Sequence, residues 1–318
     1  MTRRLDSSAS GLAAAASILQ AGGLVAFGTE TVYGLGADAT QPEAVARIFA
    51  AKNRPRFNPL ISHFPTAAAA FAHVVACPLA HALANRFWPG PLTLVLPRAP
   101  GSTISDLAAD GLATLAVRVP RGDTVTQLLT LAGCPVAAPS ANRSGRISPS
   151  DATHVLAELD GRIDAVLDTG PCPVGLESTV LDLSTPAAPC LLRPGGVTLE
   201  ELEAICGPIR LPDTQSDAAP RSPGRMLSHY APHLPVRLNA TTIAPDQAVL
   251  PFGPQQTPTQ SASWNLSETG NLQEAAAPLL AGPPALHLQR QHLHLPGLAF
   301  PPIPHTAPAM PLHDRLNP

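Results

Sequence analysis

From residue 10 to about residue 207 the chain alternates two textures, and this alternation constrains its fold more than any other feature. Alanine-rich segments at 10–21, 42–51, 66–74, 78–87, 123–132, 150–159 and 198–206 have the length and spacing of helices. Between them lie short apolar runs at 24–28, 59–64, 92–97, 114–119, 135–138, 164–168, 179–183 and 190–193, which have the length of strands. Elements in this order predict an α/β or α+β domain whose sheet is mixed rather than purely parallel. Hydrophobic residues make up 45% of the chain and aromatics only 4%, so the core is built from Ala, Val and Leu.

After Gly207 the texture changes. Twenty of the 38 prolines fall beyond it, and residues 212–224 (Pro-Asp-Thr-Gln-Ser-Asp-Ala-Ala-Pro-Arg-Ser-Pro-Gly) read as a linker. Farther on, 235–238, 248–252, 292–295 and 298–301 are strand-like and 271–280 is helical in pattern, with Pro278 and Pro283-Pro284 cutting that helix short. The organisation expected is a large domain over 1–207, a linker over 208–232 and a small α/β domain over 233–318.

Several function classes drop out on composition. A net charge of −3 provides no global basic field for gripping nucleic acid. The five cysteines, Cys77, Cys134, Cys172, Cys190 and Cys206, form no Cys-x-x-Cys pair, which argues against a zinc ribbon or a disulfide framework and for a reducing compartment. Arg3-Arg4 followed by Gly11–Leu19 imitates a signal peptide, but Asp6-Ser7-Ser8 interrupts it and Gly22-Gly23 leads straight into a strand. No apolar run approaches the ~20 residues of a membrane span. The location expected is the cytoplasm, with no membrane partner.

The polar residues that interrupt the pattern gather in a few places. Gly28-Thr-Glu-Thr-Val-Tyr-Gly-Leu-Gly36 follows the first apolar run, but it lacks the third glycine of a dinucleotide fingerprint and reads as a tight strand exit. Lys52 is the only lysine, against nineteen arginines. It stands in Lys52-Asn-Arg54-Pro55, with Asn58 and His63 close behind. A lone lysine in an arginine-favouring sequence marks a place for a compact ammonium, and Arg54 beside it adds a fork for phosphate. Pro139-Ser-Ala-Asn-Arg-Ser-Gly145 puts a hydroxyl and an amide on a loop at a strand end, where ligand groups sit in α/β sheets. Arg118 and Arg193 lie in or at the ends of apolar strands and need a buried anion, from either protein or ligand; with carboxylates scarce nearby in sequence, a ligand carboxylate or phosphate is the expectation. Neither a P-loop nor a His-Glu-x-x-His motif occurs, and the histidines of His287–His294 read as a solvated strand face.

Together these clusters resemble the L-threonylcarbamoyladenylate synthases, whose catalytic domain is of the YrdC type. The resemblance is carried in order by Thr29–Gly36, Lys52–Pro55, Asn58–His63, Trp88–Thr93, Val117–Pro120, Pro139–Gly145, Gly175–Val180 and Leu192–Gly196, and by Ser222–Pro232 for the linker of the two-domain branch. It implies a YrdC-like twisted mixed sheet with flanking helices and a concave active-site face, plus a small Rossmann-like C-terminal domain. The reaction implied joins L-threonine, bicarbonate or CO2 and ATP into threonylcarbamoyl-AMP and pyrophosphate. The product passes to a complex that modifies a tRNA adenosine beside the anticodon, so direct tRNA binding is expected to be weak or absent.

The resemblance also assigns roles by motif position. Lys52, Arg54, Ser140 and Asn142 correspond to a catalytic tetrad around the nucleotide phosphates. Arg54, Asn58, Thr114, Ser140, Ser148, Arg193 and Tyr230 correspond to ATP contacts, and Thr31, His63, Arg118, Ala138 and Ser178 to L-threonine contacts, with Arg118 forking the carboxylate. Mg2+ is expected to arrive with ATP, without dedicated protein ligands and without an organic cofactor. The chain departs from many relatives at Met226-Leu227, where they carry Lys-Tyr. Two other classes fit less of the pattern: an RNA-binding module, and a carbamoyl-transferring relative acting on another acceptor, which would carry zinc-finger or acylphosphatase-like segments.

Overall fold

The computed structural model describes residues 1–54 and 59–211, with 236–237, 240, 248–249, 251–254, 265, 267–269 and 298–299. The chain begins with β1 (Arg3–Leu5), α1 (Ala9–Gln20), β2 (Val25–Gly28), β3 (Tyr33–Asp38) and α2 (Pro42–Lys52). It continues through β4 (Ile61–His63), α3 (Ala67–Phe71), α4 (Pro78–Phe87), β5 (Leu92–Pro97), α5 (Asp106–Ala109) and β6 (Thr114–Arg118). Next come α6 (Asp123–Ala132), β7 (Val136–Ala137), α7 (Ala152–Leu159), β8 (Ala165–Leu167), β9 (Thr179–Asp182), β10 (Cys190–Arg193) and α8 (Leu199–Cys206). The short strands β11 (Val236–Arg237), β12 (Ala248–Val249) and β13 (Leu298–Ala299) form a separate parallel sheet in the order β11-β13-β12.

The first ten strands make one sheet, ordered β1-β8-β2-β3-β7-β4-β6-β5-β9-β10. Parallel pairs (β1 with β8, β8 with β2, β4 with β6, β5 with β9) alternate with antiparallel ones, so the sheet is mixed, as the sequence pattern predicts. Local signals set the helix ends. Ser8 caps α1, accepting from Gly11 N at 3.2 Å, and Thr198 and Glu201 form a reciprocal capping box on α8. Helix α2 stops at Asn53, which takes a left-handed conformation (φ 50°, ψ 44°), so the helix ends one residue beyond the expected 42–51.

Three elements escape the sequence pattern. β1 is three residues long and polar, and α5 is a single turn. β3 lies inside the Gly28–Gly36 stretch read as a strand exit; it pairs antiparallel with β2, from Val25 opposite Gly36 to Gly28 opposite Tyr33. Its glycines serve sheet packing. A Cβ on Gly36 would sit 2.6 Å from Phe27 Cε1 and 2.9 Å from Val136 Cγ1.

The two faces of the sheet are covered differently, and this creates the site. Alternate residues of β2, β7 and β8 (Val25, Phe27, Val136, Ala165, Leu167) pack under α1 and α6. The opposite face carries the main core, including Leu35, Leu94, Leu115, Val117 and Leu181, with residues of α2, α4, α7 and α8. On the β4-β6-β5-β9-β10 half, the face shared with α1 and α6 carries a separate cluster of Ile61, Val95, Ala116, Val180, Cys190 and Leu192, to which no described helix contributes. Because side chains alternate along a strand, His63, Thr93 and Arg118 share that face with Ile61, Val95 and Ala116. Among the described residues no helix is long and apolar enough to cross a membrane, and all five cysteines are free thiols.

Gly36→Ala is expected to destabilise the domain by about 1–3 kcal/mol, the range for overpacking a filled core. Denaturant unfolding of the pair of proteins checks it, with the midpoint falling and the slope unchanged.

Candidate active site

The face that no described helix covers ends in a pocket lined by Thr31, Arg54, Ile61, His63, Arg118, Ala138, Ser140, Glu177, Ser178 and Arg193, with Val32 and Pro139. These residues come from the β2–β3 hairpin, the C-terminal ends of β4 and β6, the loop after β7, the loop before β9 and the end of β10. Brought together, they make one concave site with an apolar wall and several fixed charges.

Arg118, at the end of β6, is only 4% exposed. Its Nη2 lies 2.7 Å from Glu30 Oε1 and donates to Thr31 Oγ1 at 3.1 Å, while Nε donates to Gly90 O at 3.2 Å. Glu30 Oε2 accepts from Arg121 N at 3.1 Å. Of the two sources of a buried anion that the sequence leaves open, protein or ligand, the structure supplies a protein one: the carboxylate comes from the hairpin, far away in sequence and adjacent in space. Since Nε and Nη2 are engaged, a side-on fork has no pair of nitrogens left, and Nη1 is the nitrogen without a partner among the described residues.

Arg193 repeats the arrangement. Its Nη1 donates to Glu177 Oε2 at 2.7 Å, its Nη2 to Ser178 Oγ at 3.1 Å and Ser178 O at 2.8 Å, and its Nε to Ser178 O at 3.1 Å. Here too a protein carboxylate supplies the buried anion. Glu177 Oε1 accepts from Ser148 Oγ at 2.6 Å, and Ser178 Oγ meets Thr93 Oγ1 at 2.8 Å. Gly195 permits this closeness, because a Cβ there would collide with the backbone of Glu177, Ser178 and Thr179.

Lys52 is 1% exposed and donates to the carbonyl oxygens of Ser140 and Asn142. Ser144 N returns a bond to Lys52 O at 2.8 Å. The ammonium thus holds the loop after β7 in place, and the left-handed Asn53 swings Arg54 toward the pocket. Burial, and then the charge of Arg54, hold the Lys52 pKa well below the usual lysine range; Glu177 and Glu158 pull the other way. Asn142 donates through Nδ2 to Arg143 O at 2.9 Å and Arg146 O at 2.7 Å, and its buried Oδ1 has no hydrogen-bond partner.

His63 Nδ1 faces Ile61 O at 3.1 Å, which makes Nδ1 the protonated nitrogen and Nε2 the one with a lone pair. Burial first, and the Arg118 charge second, push its pKa down to about 3. The ring is therefore neutral at working pH. Among the described residues no group of three or more His, Cys, Asp or Glu side chains is placed to hold a metal ion.

A family model described as "Telomere recombination", Sua5/YciO/YrdC, matches residues 17–195, and a model described as "Threonylcarbamoyl-AMP synthase, C-terminal domain" matches residues 197–282. The chain belongs to the Sua5/YciO/YrdC family. It is similar to the threonylcarbamoyl-AMP synthase of Bacillus subtilis, with 44% identity over 75% of this chain and 69% of the relative. With the Pyrococcus abyssi threonylcarbamoyl-AMP synthase the identity is 47%, over 69% of this chain and 64% of the relative, just under two thirds of its length. The crystal structure of P. abyssi Sua5 complexed with L-threonine superposes at a TM-score of 0.87, with 33% identity, covering 99% of this chain and 96% of that one.

Within the Sua5/YciO/YrdC fold the residues singled out from sequence fall into four sets. Thr31, Arg54, His63, Arg118, Ala138, Ser140, Ser178 and Arg193 line the pocket together. Lys52, Asn142 and Ser148 stand behind it, bonded to pocket elements. Thr114 opens β6, at the end opposite Arg118. Asn58, Tyr230, Met226 and Leu227, like the His287–His294 run, lie outside the described residues. The residues the sequence reading left without a role are Glu30, Glu177 and Thr93. Their signal was present: Thr-Glu-Thr and Glu-Ser-Thr both put a carboxylate directly before a hydroxyl.

For His63 the linkage sign is definite. Its folded pKa of about 3 lies below the ordinary 6.5, so as pH falls from 6.5 toward 3 the unfolded chain takes up a proton that the native one refuses. Stability drops by up to about 1.4 kcal/mol per pH unit from this group. A His63→Gln variant is expected to lose that contribution to the slope, read from denaturant midpoints at pH 4, 5, 6 and 7.

Proposed function

We propose that this chain is a threonylcarbamoyl-AMP synthase, making threonylcarbamoyl-AMP and pyrophosphate from L-threonine, bicarbonate or CO2, and ATP in the cytoplasm. The observation that carries the reading is the single pocket that gathers Arg54, Arg118 and Arg193 beside the neutral His63. Such a site suits a substrate pair that brings one carboxylate and a polyphosphate. The named relatives and the L-threonine complex of P. abyssi Sua5 support the same choice.

In this reading the threonine carboxylate meets Arg118 end-on through Nη1, since Nε and Nη2 are held by the protein. Thr31, Ser178, the backbone around Ala138 and the lone pair of His63 Nε2 fix the amine and hydroxyl. The amine, having released a proton, attacks CO2 to form a carbamate. A carbamate oxygen then bonds to the α-phosphorus as the bond to the bridging β-phosphate oxygen breaks and pyrophosphate leaves. Arg54, Ser140, Ser148 and Arg193 flank the phosphates, with Thr114 on the same strand face and Asn58 and Tyr230 adding contacts. Mg2+ arrives on the ATP phosphates as part of the substrate; Glu30 and Glu177 are each tied to an arginine. The apolar cluster of Ile61, Val95, Ala116, Val180 and Leu192 beyond the charged end is suited to a flat base. Catalysis rests on positioning and charge neutralisation. The product passes to a complex that completes the tRNA modification.

Purified protein is expected to release pyrophosphate from ATP only when L-threonine and bicarbonate are both present; release without threonine refutes the reading. Lys52→Ala is expected to cost about 2–4 kcal/mol of transition-state stabilisation, the range for losing one preorganised charge contact. Lys52→Arg is expected to fail as well, since a guanidinium does not fit the space between the Ser140 and Asn142 carbonyls. Near wild-type kcat/KM in either variant refutes the role of the compact ammonium.

A further inference from the structure

The two buried arginines are held by devices of the same design, but the devices have different reach. At Arg118, Glu30 faces the guanidinium with Oε1 as an ion pair that lacks hydrogen-bond geometry, and its Oε2 accepts from the backbone N–H of Arg121. Everything it orients lies on the amino-acid side: Arg118 itself and, through the shared Nη2, Thr31. At Arg193, Glu177 spends one oxygen on the guanidinium and the other on the hydroxyl of Ser148. Arg193 in turn holds Ser178 by its carbonyl and its hydroxyl. One carboxylate therefore stands between two groups read as nucleotide contacts, Ser148 and Arg193, and one read as a threonine contact, Ser178.

We propose that Glu177 is a positioning residue serving both substrates at once, and that Glu30 serves the amino acid alone. The physical basis is charge and direction. An ionised carboxylate accepts from Ser148 and Arg193 simultaneously, which fixes the two side chains in one geometry. Glutamine in place of Glu177 has one accepting oxygen, so it keeps Arg193 only by donating to Ser148 and reversing that hydroxyl. It also leaves the buried guanidinium without its counter-charge, so Arg193 and Ser178 lose their fixed geometry together. Glu30→Gln leaves the other cluster untouched, because among the described residues none is shared between the two.

This inference rests on the synthase reading, and the test separates the two. Pyrophosphate release is measured with ATP varied at saturating L-threonine and with L-threonine varied at saturating ATP, for wild type, Glu30→Gln and Glu177→Gln. Glu30→Gln is expected to raise the threonine KM about tenfold or more and leave the ATP KM within about twofold, while Glu177→Gln raises both about tenfold or more, the scale of a buried charged bond losing its partner. A uniform fall in kcat with both KM values unchanged, or a rise in only one KM for Glu177→Gln, overturns the proposal. If Glu177→Gln does not fold, Ser148→Ala takes its place. It removes one arm from Glu177, and the threonine KM is expected to rise along with the ATP KM; an unchanged threonine KM overturns the proposal. Wild-type protein that shows no threonine-dependent release refutes the synthase reading and the inference with it.

Discussion

Two buried Arg–Glu pairs organise this molecule. Arg118–Glu30 and Arg193–Glu177 each close to 2.7 Å, with all four side chains almost fully removed from solvent. A lone guanidinium could not remain at the end of an apolar strand, because the desolvation cost of an isolated buried charge runs to several kcal/mol. Paired and hydrogen-bonded, the two arginines persist there, and each carboxylate arrives with a neighbouring hydroxyl that binds the same guanidinium. The pairs are poor candidates for net stabilisers of the fold, since a well-packed apolar replacement would do as well or better. Their contribution is geometric: they draw the β2–β3 hairpin and the segment before β9 onto the ends of β6 and β10.

The rest of the site follows from which half of the sheet lacks helices. Helices α1 and α6 cover one face at β2, β7 and β8, whereas the same face at β4, β6, β5, β9 and β10 receives no described helix. Loops at the strand ends can then converge on a common space. Lys52 belongs to this architecture as much as to the chemistry, because its ammonium bonds carbonyls of the loop that carries Ser140 and Asn142. Burial, with Arg54 adjacent, holds the Lys52 pKa well below the usual lysine range, and Glu177 and Glu158 oppose that shift.

Much of the fold was legible in the chain. The alternating apolar segments correspond to α1, α2, α4, α6, α7 and α8 and to most strands within a residue or two, because periodicity reports which face of an element is buried. The misses have physical reasons. β3 carries Gly34 and Gly36, which sequence propensity assigns to turns, yet Gly36 is required where Phe27 and Val136 press against the sheet. β1 is polar because it is an edge strand three residues long.

The chain by itself determined its family, its mixed α/β class and the residues that converge, since Lys52, Arg54, Arg118, Ser140, Ser178 and Arg193 stand in motifs whose order is readable without coordinates. Only the tertiary structure decided what those residues touch. Arg118 and Arg193 looked as though they required a ligand anion, because a carboxylate 88 or 16 positions away is invisible to a local reading and adjacent once the sheet closes. Likewise the lone lysine marked the site, but its partners, two backbone carbonyls, carry no sequence signature at all. Side-chain type and spacing encode which elements form and which residues are unusual for their surroundings. Pairing across the sheet, which depends on register and on loops meeting at strand ends, exists only in the folded chain.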